Sequence, residues 1–206
     1  MSHLTDPTVL LDGIRVFIDP AQVRTDPDSS LHYGRDWTRL YAPNPLAVVL
    51  PNSIDQVQAL IRYANAHQLA LVPSGGRTGL SGAAVACRGE IVVSLERMNR
   101  IIDFDPVDRS VTCQAGVVTE AVQNFAGEHG LYYPVDFASR GSSQIGGNIA
   151  TNAGGIKVIR YGLTRDWVTG LKVVTGRGDL LNLNRGLIKN ASGYDLRHLF
   201  IGSEGT

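Results

Sequence analysis

Apolar positions in the first half of the chain form short continuous runs separated by one stretch with helical spacing. Residues 47–50 are an apolar run that predicts a strand. Ser53 and Gln56 then have the spacing of a capping box, and apolar residues recur at helical intervals to His67, which predicts a helix over 53–67. A second apolar run at 69–72 completes a strand–helix–strand unit. Such a unit normally forms part of a parallel sheet.

The rest of the chain also mixes strands and helices. Residues 91–95, 101–104 and 111–115 have strand character, and Thr119 is predicted to cap a helix that stops at Gly130. Two further strands, 168–175 and 180–183, are predicted to form a hairpin. The fold class is therefore α+β. We expect an N-terminal arm or short helical lead-in at 1–45, and a domain at 46–206 that consists of one subdomain to about 135 and a second from about 136.

Composition narrows the class of protein. Nineteen basic and nineteen acidic residues leave no net charge, which argues against nucleic acid or an anionic membrane as a partner. The N-terminus lacks a signal-peptide pattern, and no apolar window reaches the roughly 18 residues of a transmembrane helix. We therefore expect a cytoplasmic location. Cys87 and Cys113 have no metal-site spacing, so we expect reduced thiols and no metal site. The chain runs from an apolar triplet into a glycine turn at its end, and we expect it to be truncated there.

A first glycine-rich segment follows the predicted strand at 69–72. Residues 73–82 contain four glycines, so several backbone N–H groups can converge on a phosphate, although a flexible loop without a ligand explains the cluster equally well. The Gly-Lys-Ser/Thr of a Walker loop is absent. A nicotinamide-binding Rossmann site is the weaker alternative, because only residues 83–90 precede the next strand and a parallel crossover takes about 10 to 12.

A second glycine-rich segment, residues 141–155, alternates small residues with amides and hydroxyls. This composition suits the polar edge of a flat ring rich in heteroatoms. Two tight turns and a polar loop are the structural alternative.

Both segments, in this order with Arg160-Tyr161-Gly162 and the final Gly202–Thr206 stretch, resemble the FAD-linked oxidases of the vanillyl-alcohol oxidase and p-cresol methylhydroxylase (PCMH) type. Within that superfamily the chain looks like the 2-hydroxyacid dehydrogenase branch. The resemblance implies a PCMH-type FAD-binding domain of two α/β subdomains, truncated before the C-terminal substrate and cap domain. It implies oxidation of a D-2-hydroxyacid to the 2-oxoacid by hydride transfer to flavin. D-2-hydroxyglutarate is the favoured substrate, and D-lactate and glycolate are alternatives, as is an inactive flavin-binding fragment.

The resemblance also assigns residues to FAD. The first segment would hold the pyrophosphate and the second would line the flavin. The implied FAD-binding residues are Pro73, Ser74, Gly75, Gly76, Arg77, Thr78, Gly79, Leu80, Gly141, Ser142, Ile145, Gly146, Gly147, Asn148, Thr151 and Asn152. Some relatives carry, in place of Arg77, a histidine that bonds covalently to flavin, so a non-covalent FAD is expected here.

The resemblance places the catalytic residues and a divalent metal in the missing C-terminal region, so no catalytic residue is assigned. The implied partners are a small 2-hydroxyacid and an electron acceptor such as an electron-transfer flavoprotein or quinone, and a homodimer stays open. His67 and His129 end predicted helices, where capping is favoured over catalysis. Asp36, near the start of the chain, is expected to anchor the arm or to line a substrate mouth, and Asp136 to order the second segment.

Overall fold

The computed structural model describes residues 6–206. In chain order, its helices and strands are α1 (Pro7–Arg15), β1 (Val23–Arg24), α2 (Pro27–Tyr33), β2 (Ala47–Val49), α3 (Ile54–His67), β3 (Leu71–Ser74), β4 (Ile91–Ser94), β5 (Ile101–Asp105), β6 (Ser110–Cys113), α4 (Thr119–Glu128), α5 (Ile145–Ala150), α6 (Val158–Tyr161), β7 (Leu171–Val174), β8 (Leu180–Leu183) and α7 (Arg197–Phe200), with 3₁₀ turns at Pro20–Gln22 and Thr164–Trp167. The chain divides into two compact units: the first extends to Arg97 and includes Val174–Asp179, and the second is Met98–Val173 with Leu180–Thr206. The predicted subdomain boundary near residue 135 stays a prediction.

The first unit is built on a four-stranded sheet in the order β1-β2-β4-β3. β2 and β3 both run parallel to β4, which lies between them, and β1 pairs antiparallel with β2 at the edge. The apolar runs of β2 and β4 are fully buried, as expected for parallel strands covered on both faces. Leu60 and Ala64 of α3 are buried as well, and Leu60 packs in the same core cluster as the strands.

The segment before β2 is an integral part of this unit. α1 is capped by Asp6, whose Oδ1 accepts the backbone N–H of Thr8 at 2.8 Å. Ile14 and Ile18 are at most 1% exposed and pack in the core cluster of β2 and β4. Residues 6–45 therefore contribute apolar core surface to the sheet unit.

The connection from β3 to β4 corrects one premise of the sequence analysis. Residues 75–90 contain no helix, yet they join two neighbouring parallel strands. The glycine-rich loop is itself part of this crossover, so residues 83–90 are only about half of its length. The absence of a helix after the loop agrees with the prediction that this is not a Rossmann turn.

The second unit contains the antiparallel strand pair β5–β6, a two-stranded sheet of β7 and β8, and short helices. Phe104 of β5 contacts Phe125 of α4 edge to face, with ring centroids 5.5 Å apart. Thr119 was predicted as the N-cap of α4, but the N-cap is Val118 and Thr119 is the first helical residue. His129 caps the other end of α4 as expected, with Nδ1 2.8 Å from the carbonyl oxygen of Phe125.

Residues 174–179, which comprise the last residue of β7 and the turn to β8, belong to the first unit. Gln58 and Arg62 of α3 donate to the carbonyl oxygen of Gly178 at 2.7 and 3.0 Å, and Asn65 donates to that of Gly176 at 2.8 Å. Gly178 has a φ of +82°, which favours glycine at this position. Three side chains on one face of α3 thus hold the turn. Within residues 6–206, no helix has the length and apolar character needed to cross a membrane.

Candidate functional site

The first glycine-rich segment begins at the carboxyl end of β3, in the first unit. Pro73 and Ser74, predicted as part of the loop, are the last two residues of the strand. Ser74 is 1% exposed, and its Oγ donates to the carbonyl oxygen of Tyr33 at 3.2 Å. Its side chain is therefore used inside the protein, and the loop proper starts at Gly75.

The backbone of this loop presents a row of free donors. Within residues 6–206, no hydrogen-bond acceptor reaches the backbone N–H groups of residues 76–81. A Cβ atom added at Gly79 would have nothing within 4 Å, so packing does not require glycine there. Free N–H groups beside open space are what an anion such as a phosphate requires.

Arg77 carries the positive charge of the loop. Its backbone has a φ of +56°. Its Nη1 donates to the carbonyl oxygen of Gly75 at 2.9 Å, and its Nη2 donates to Nε2 of His32 at 2.9 Å. The guanidinium lies 4.9 Å from the ring centroid of Tyr33, within cation–π range. These contacts fix the cation next to the free N–H groups.

The second glycine-rich segment lies in the second unit and starts α5. Thr119, Ser143 and Asn148 are all buried there. The Thr119 hydroxyl lies 2.7 Å from Oγ of Ser143, donates to the carbonyl oxygen of Ser143 at 3.1 Å, and accepts from Nδ2 of Asn148 at 2.6 Å. Asn148, predicted to bind FAD, thus uses one of its two amide N–H donors inside the protein. Thr151 and Asn152 also have internal partners, the carbonyl oxygen of Gly147 and the N–H of Arg165.

Several glycines of this segment are required by packing. An added Cβ would lie 2.7 Å from the Cβ of Ala115 at Gly146, and 1.6 Å from the backbone oxygen of Asp136 at Gly155. Gly147 differs, because nothing lies within 4 Å of its added Cβ. Close packing therefore accounts for Gly155 and for Gly146, which lies in helix α5 and not in one of the tight turns of the structural alternative, but it does not account for Gly147. Ser142 and Gly141 are exposed, and Ile145 is half-buried.

Gln144 is a candidate site residue that the sequence analysis did not select. It is 8% exposed, and its Oε1 is buried without a hydrogen-bond partner in the described part of the chain. A buried acceptor without a partner costs on the order of 1–3 kcal/mol, so a ligand donor would be favoured there. No local sequence signal marks this residue, because glutamine at a helix start has no special pattern.

Asp136 forms two ion pairs just before the second segment, and its expected role in ordering that segment stays a prediction. It is bound by Lys157 at 2.9 Å and by Arg140 at 3.2 Å. The Lys157 hydrogen bond is the main reason that the pKa of Asp136 lies below its ordinary value. A cleft of about 420 Å³ next to this ion pair is lined by Tyr132, Ile156, Lys157, Ile159, Arg160 and Tyr161, none of which was predicted to bind FAD.

Comparison with known families decides the class of this domain. The family model described as "FAD binding domain" matches residues 45–184. The chain belongs to this FAD binding domain family. Flavin adenine dinucleotide is therefore the cofactor of the family to which both glycine-rich segments belong, which confirms the cofactor class expected from the sequence.

Relatives of this FAD binding domain include bacterial and mitochondrial enzymes. The chain is 66% identical to D-2-hydroxyglutarate dehydrogenase of Stutzerimonas stutzeri over 203 residues, which are 98% of this chain and 44% of that protein. It is 41% identical to mitochondrial D-2-hydroxyglutarate dehydrogenase of Bos taurus over 91% of this chain and 34% of that protein. The chain thus spans less than half the length of the curated relatives it matches.

Solved structures confirm the fold expected from the sequence. An alkyldihydroxyacetonephosphate synthase superposes with a TM-score of 0.84 at 23% identity, over 96% of this chain and 38% of that one. p-Cresol methylhydroxylase superposes with a TM-score of 0.77 at 22% identity, over 94% of this chain and 40% of that one. The FAD binding domain therefore has the PCMH-type fold.

The residues present fit FAD on two counts. The free N–H groups of residues 76–81 suit a pyrophosphate, and the orphaned acceptor of Gln144 suits a ring N–H. The free N–H groups lie in the first unit and Gln144 lies in the second. Within residues 6–206, no group of three or more His, Cys, Asp or Glu side chains could hold a metal ion.

Proposed function

We propose that this chain supplies the FAD-binding part of a flavin-dependent D-2-hydroxyacid dehydrogenase, with D-2-hydroxyglutarate as the preferred substrate. The row of free N–H groups at 76–81 carries the cofactor part of the proposal. The substrate part is supported by two bacterial D-2-hydroxyglutarate dehydrogenases that are 66% and 63% identical over 98% of this chain. Since the chain spans less than half of each, turnover is proposed for the full-length protein.

The chain's own residues would bind and orient the cofactor. Bound FAD would supply a hydride acceptor for the α carbon of the hydroxyacid. The N–H groups of 76–81 would donate to the pyrophosphate, and the fixed charge of Arg77 would offset its negative charge. Part of the ring system would occupy the open space at Gly147, and Oε1 of Gln144 would accept a hydrogen bond from it. The other predicted FAD-binding residues stay predictions.

Arg77 is held by hydrogen bonds and its guanidinium is a poor nucleophile, so FAD would be dissociable. Release of flavin by acid or a denaturing gel checks this, and flavin that stays with the polypeptide would refute it. We further propose an electron-transfer flavoprotein or quinone as electron acceptor, a cytoplasmic location, and a divalent metal held outside residues 1–206.

The cofactor part can be tested with two glycine variants of this chain. Gly79→Ala adds a methyl group to the open space beside the free N–H groups without a clash inside the protein. We expect it to weaken FAD binding roughly tenfold, about 1.4 kcal/mol, in a fluorescence-quenching titration. Gly127→Ala in α4, which also meets nothing within 4 Å, is the matched control. Equal affinities for both variants would contradict the assigned phosphate loop.

The substrate part is tested with the full-length protein. Anaerobic addition of D-2-hydroxyglutarate should bleach the flavin absorbance faster than D-lactate or glycolate. The present chain, assayed beside it, is expected to bind FAD and to show no turnover, as a flavin-binding module would. If none of the three acids bleaches the full-length protein, the proposed reaction is wrong. Faster bleaching by D-lactate or glycolate would show that one of these alternatives, and not D-2-hydroxyglutarate, is the preferred substrate.

A further inference from the structure

The segment before β2 contacts the glycine-rich loop along its whole length. Residues 32–38, here named the loop brace, form four hydrogen bonds with residues spread along the loop from Ser74 to Gly82. Tyr33 accepts from Ser74 at 3.2 Å, and His32 accepts from Arg77 at 2.9 Å. The N–H of Trp37 donates to the carbonyl oxygen of Gly79 at 3.3 Å, and the carboxylate of Asp36 accepts from the N–H of Gly82 at 3.1 Å.

Asp36 is the unusual member of the brace. It is only 5% exposed, and within residues 6–206 no basic side chain forms a salt bridge with it. Its carboxylate accepts from Oγ1 of Thr38 at 2.6 Å, from the N–H of Thr38 at 3.0 Å and from the N–H of Gly82. The hydrogen bond from the Thr38 hydroxyl is the main reason that its pKa lies below the ordinary value. If this carboxylate moved away from these three donors, a buried charge would lose its hydrogen bonds. Its position is therefore fixed by them.

The geometry of these bonds shows what Asp36 holds in place. Two of its three donors come from its own turn, and the third comes from Gly82, 46 positions along the chain. Gly82 ends the loop and has a φ of +81°, so its backbone direction is set by a conformation that other residues rarely adopt. Asp36 therefore fixes the end of the loop, while Ser74 fixes its beginning through Tyr33.

The contacts leave the central donors of the loop unused. The N–H of Gly82 already donates to a carboxylate, whereas those of 76–81 have no acceptor within residues 6–206. A loop with fixed ends needs less ordering when a ligand binds, and the saved conformational entropy appears as affinity. The brace thus acts on the loop before any ligand arrives.

We propose that the loop brace preorganises the glycine-rich loop for the pyrophosphate of FAD, with Asp36 as the positioning residue. This inference rests on the proposed FAD-binding function and adds a residue that touches no ligand itself. In this proposal residues 32–38 anchor the glycine-rich loop and do not line a substrate mouth.

The main test is Asp36→Asn, with Asp28→Asn as the control. Asn keeps the shape but replaces one acceptor oxygen by a donor, so either Gly82 or Thr38 loses its bond. Asp28 is exposed in the first turn of α2, and its substitution makes the same change in charge. We expect FAD affinity to fall about tenfold or more for Asp36→Asn and to stay unchanged for Asp28→Asn.

A readout without flavin separates positioning of the loop from general loss of structure. Trypsin cleaves after Arg77 only if the loop can move, so Asp36→Asn without FAD should be cut there several-fold faster than the unaltered chain. Cleavage after Arg15 and Arg100 should be unchanged, and saturating FAD should restore protection at Arg77. General acceleration at all three sites would overturn the proposal. If Asp36→Asn does not fold, Thr38→Val, which removes one donor to Asp36, gives the same readouts.

The outcomes for the two proposals are distinct. No FAD binding by the unaltered chain would overturn the proposed function. FAD binding with the same affinity and the same cleavage at Arg77 in both the unaltered chain and Asp36→Asn would overturn the loop brace alone.

Discussion

Replacing Thr119 by valine should destabilise the second unit far more than the small change in side-chain shape suggests. The hydroxyl of Thr119 is fully buried and holds together Ser143 and Asn148, which are 3% and 4% exposed. Valine keeps the shape of threonine and removes all of these hydrogen bonds. The donor Nδ2 of Asn148 and the hydroxyl of Ser143 then lose their common partner.

The magnitude follows from the two polar groups left behind. Each buried group without a partner costs about 1–3 kcal/mol, so Thr119→Val should lower the free energy of unfolding by about 2–6 kcal/mol. Thr119→Ser keeps the hydroxyl and removes one buried methyl group, which costs about 1 kcal/mol. Against a typical domain stability of about 5–15 kcal/mol, the two variants are readily separated.

Urea unfolding followed by tryptophan fluorescence measures this difference. The protein has two tryptophans, Trp37 and Trp167. Trp167 lies in the same unit as Thr119, so a Trp37→Phe background reports on that unit. If Thr119→Val costs no more than Thr119→Ser, the buried hydroxyl does not hold this network and the reasoning is wrong.

Three further outcomes are expected. Gly155→Ala should lower the free energy of unfolding by at least about 3 kcal/mol in the same assay, because the added Cβ would lie 1.6 Å from a backbone oxygen. Gly147→Ala should change it by no more than about 0.5 kcal/mol, because nothing lies within 4 Å of its added Cβ. The pKa of His32 is lowered from 6.5, chiefly by burial and also by Arg77, so the folded state binds fewer protons than the unfolded state. Its contribution to stability is complete above about pH 6.5 and declines as the pH falls, and His32→Gln should flatten that part of a stability–pH curve; an unchanged slope would contradict it. Burial raises the pKa of Cys113 from 9.0 to about 11, so iodoacetamide at pH 8 should label it about 100-fold more slowly than the same residue in denatured protein, by mass spectrometry; equal rates would refute the burial effect.

Local signals predicted the elements that surround the first loop. Ser53 caps α3 as expected, and its Oγ accepts the N–H of Gln56 at 3.3 Å. The apolar runs at β2 and β4 also became buried strands, because each run is short and bounded by polar residues. β3 begins two residues later than predicted and includes Pro73 and Ser74, since strand ends depend on pairing with β4 and not on apolar character alone.

The contacts that organise the candidate site could not be predicted in this way. Thr119 and Ser143 are 24 positions apart, and Asp36 and Gly82 are 46 apart. A capping rule explains why a threonine occurs at a helix start, but the hydroxyl of Thr119 turns instead to a distant segment. The unpaired acceptor of Gln144 is likewise a property of its surroundings. Such long-range polar pairs require the tertiary structure.

The hydrogen bonds between α3 and the turn at 175–179 constrain how this protein can fold during synthesis. Gln58 and Gly178 are 120 positions apart, so the first unit stays incomplete until residues 98–173 have been made. At about 5–20 residues per second, that wait lasts roughly 4–15 s. Until then water can accept the hydrogen bonds of the three polar side chains on α3, Gln58, Arg62 and Asn65. A nascent chain can therefore leave this face of α3 open without exposing an apolar surface to other chains.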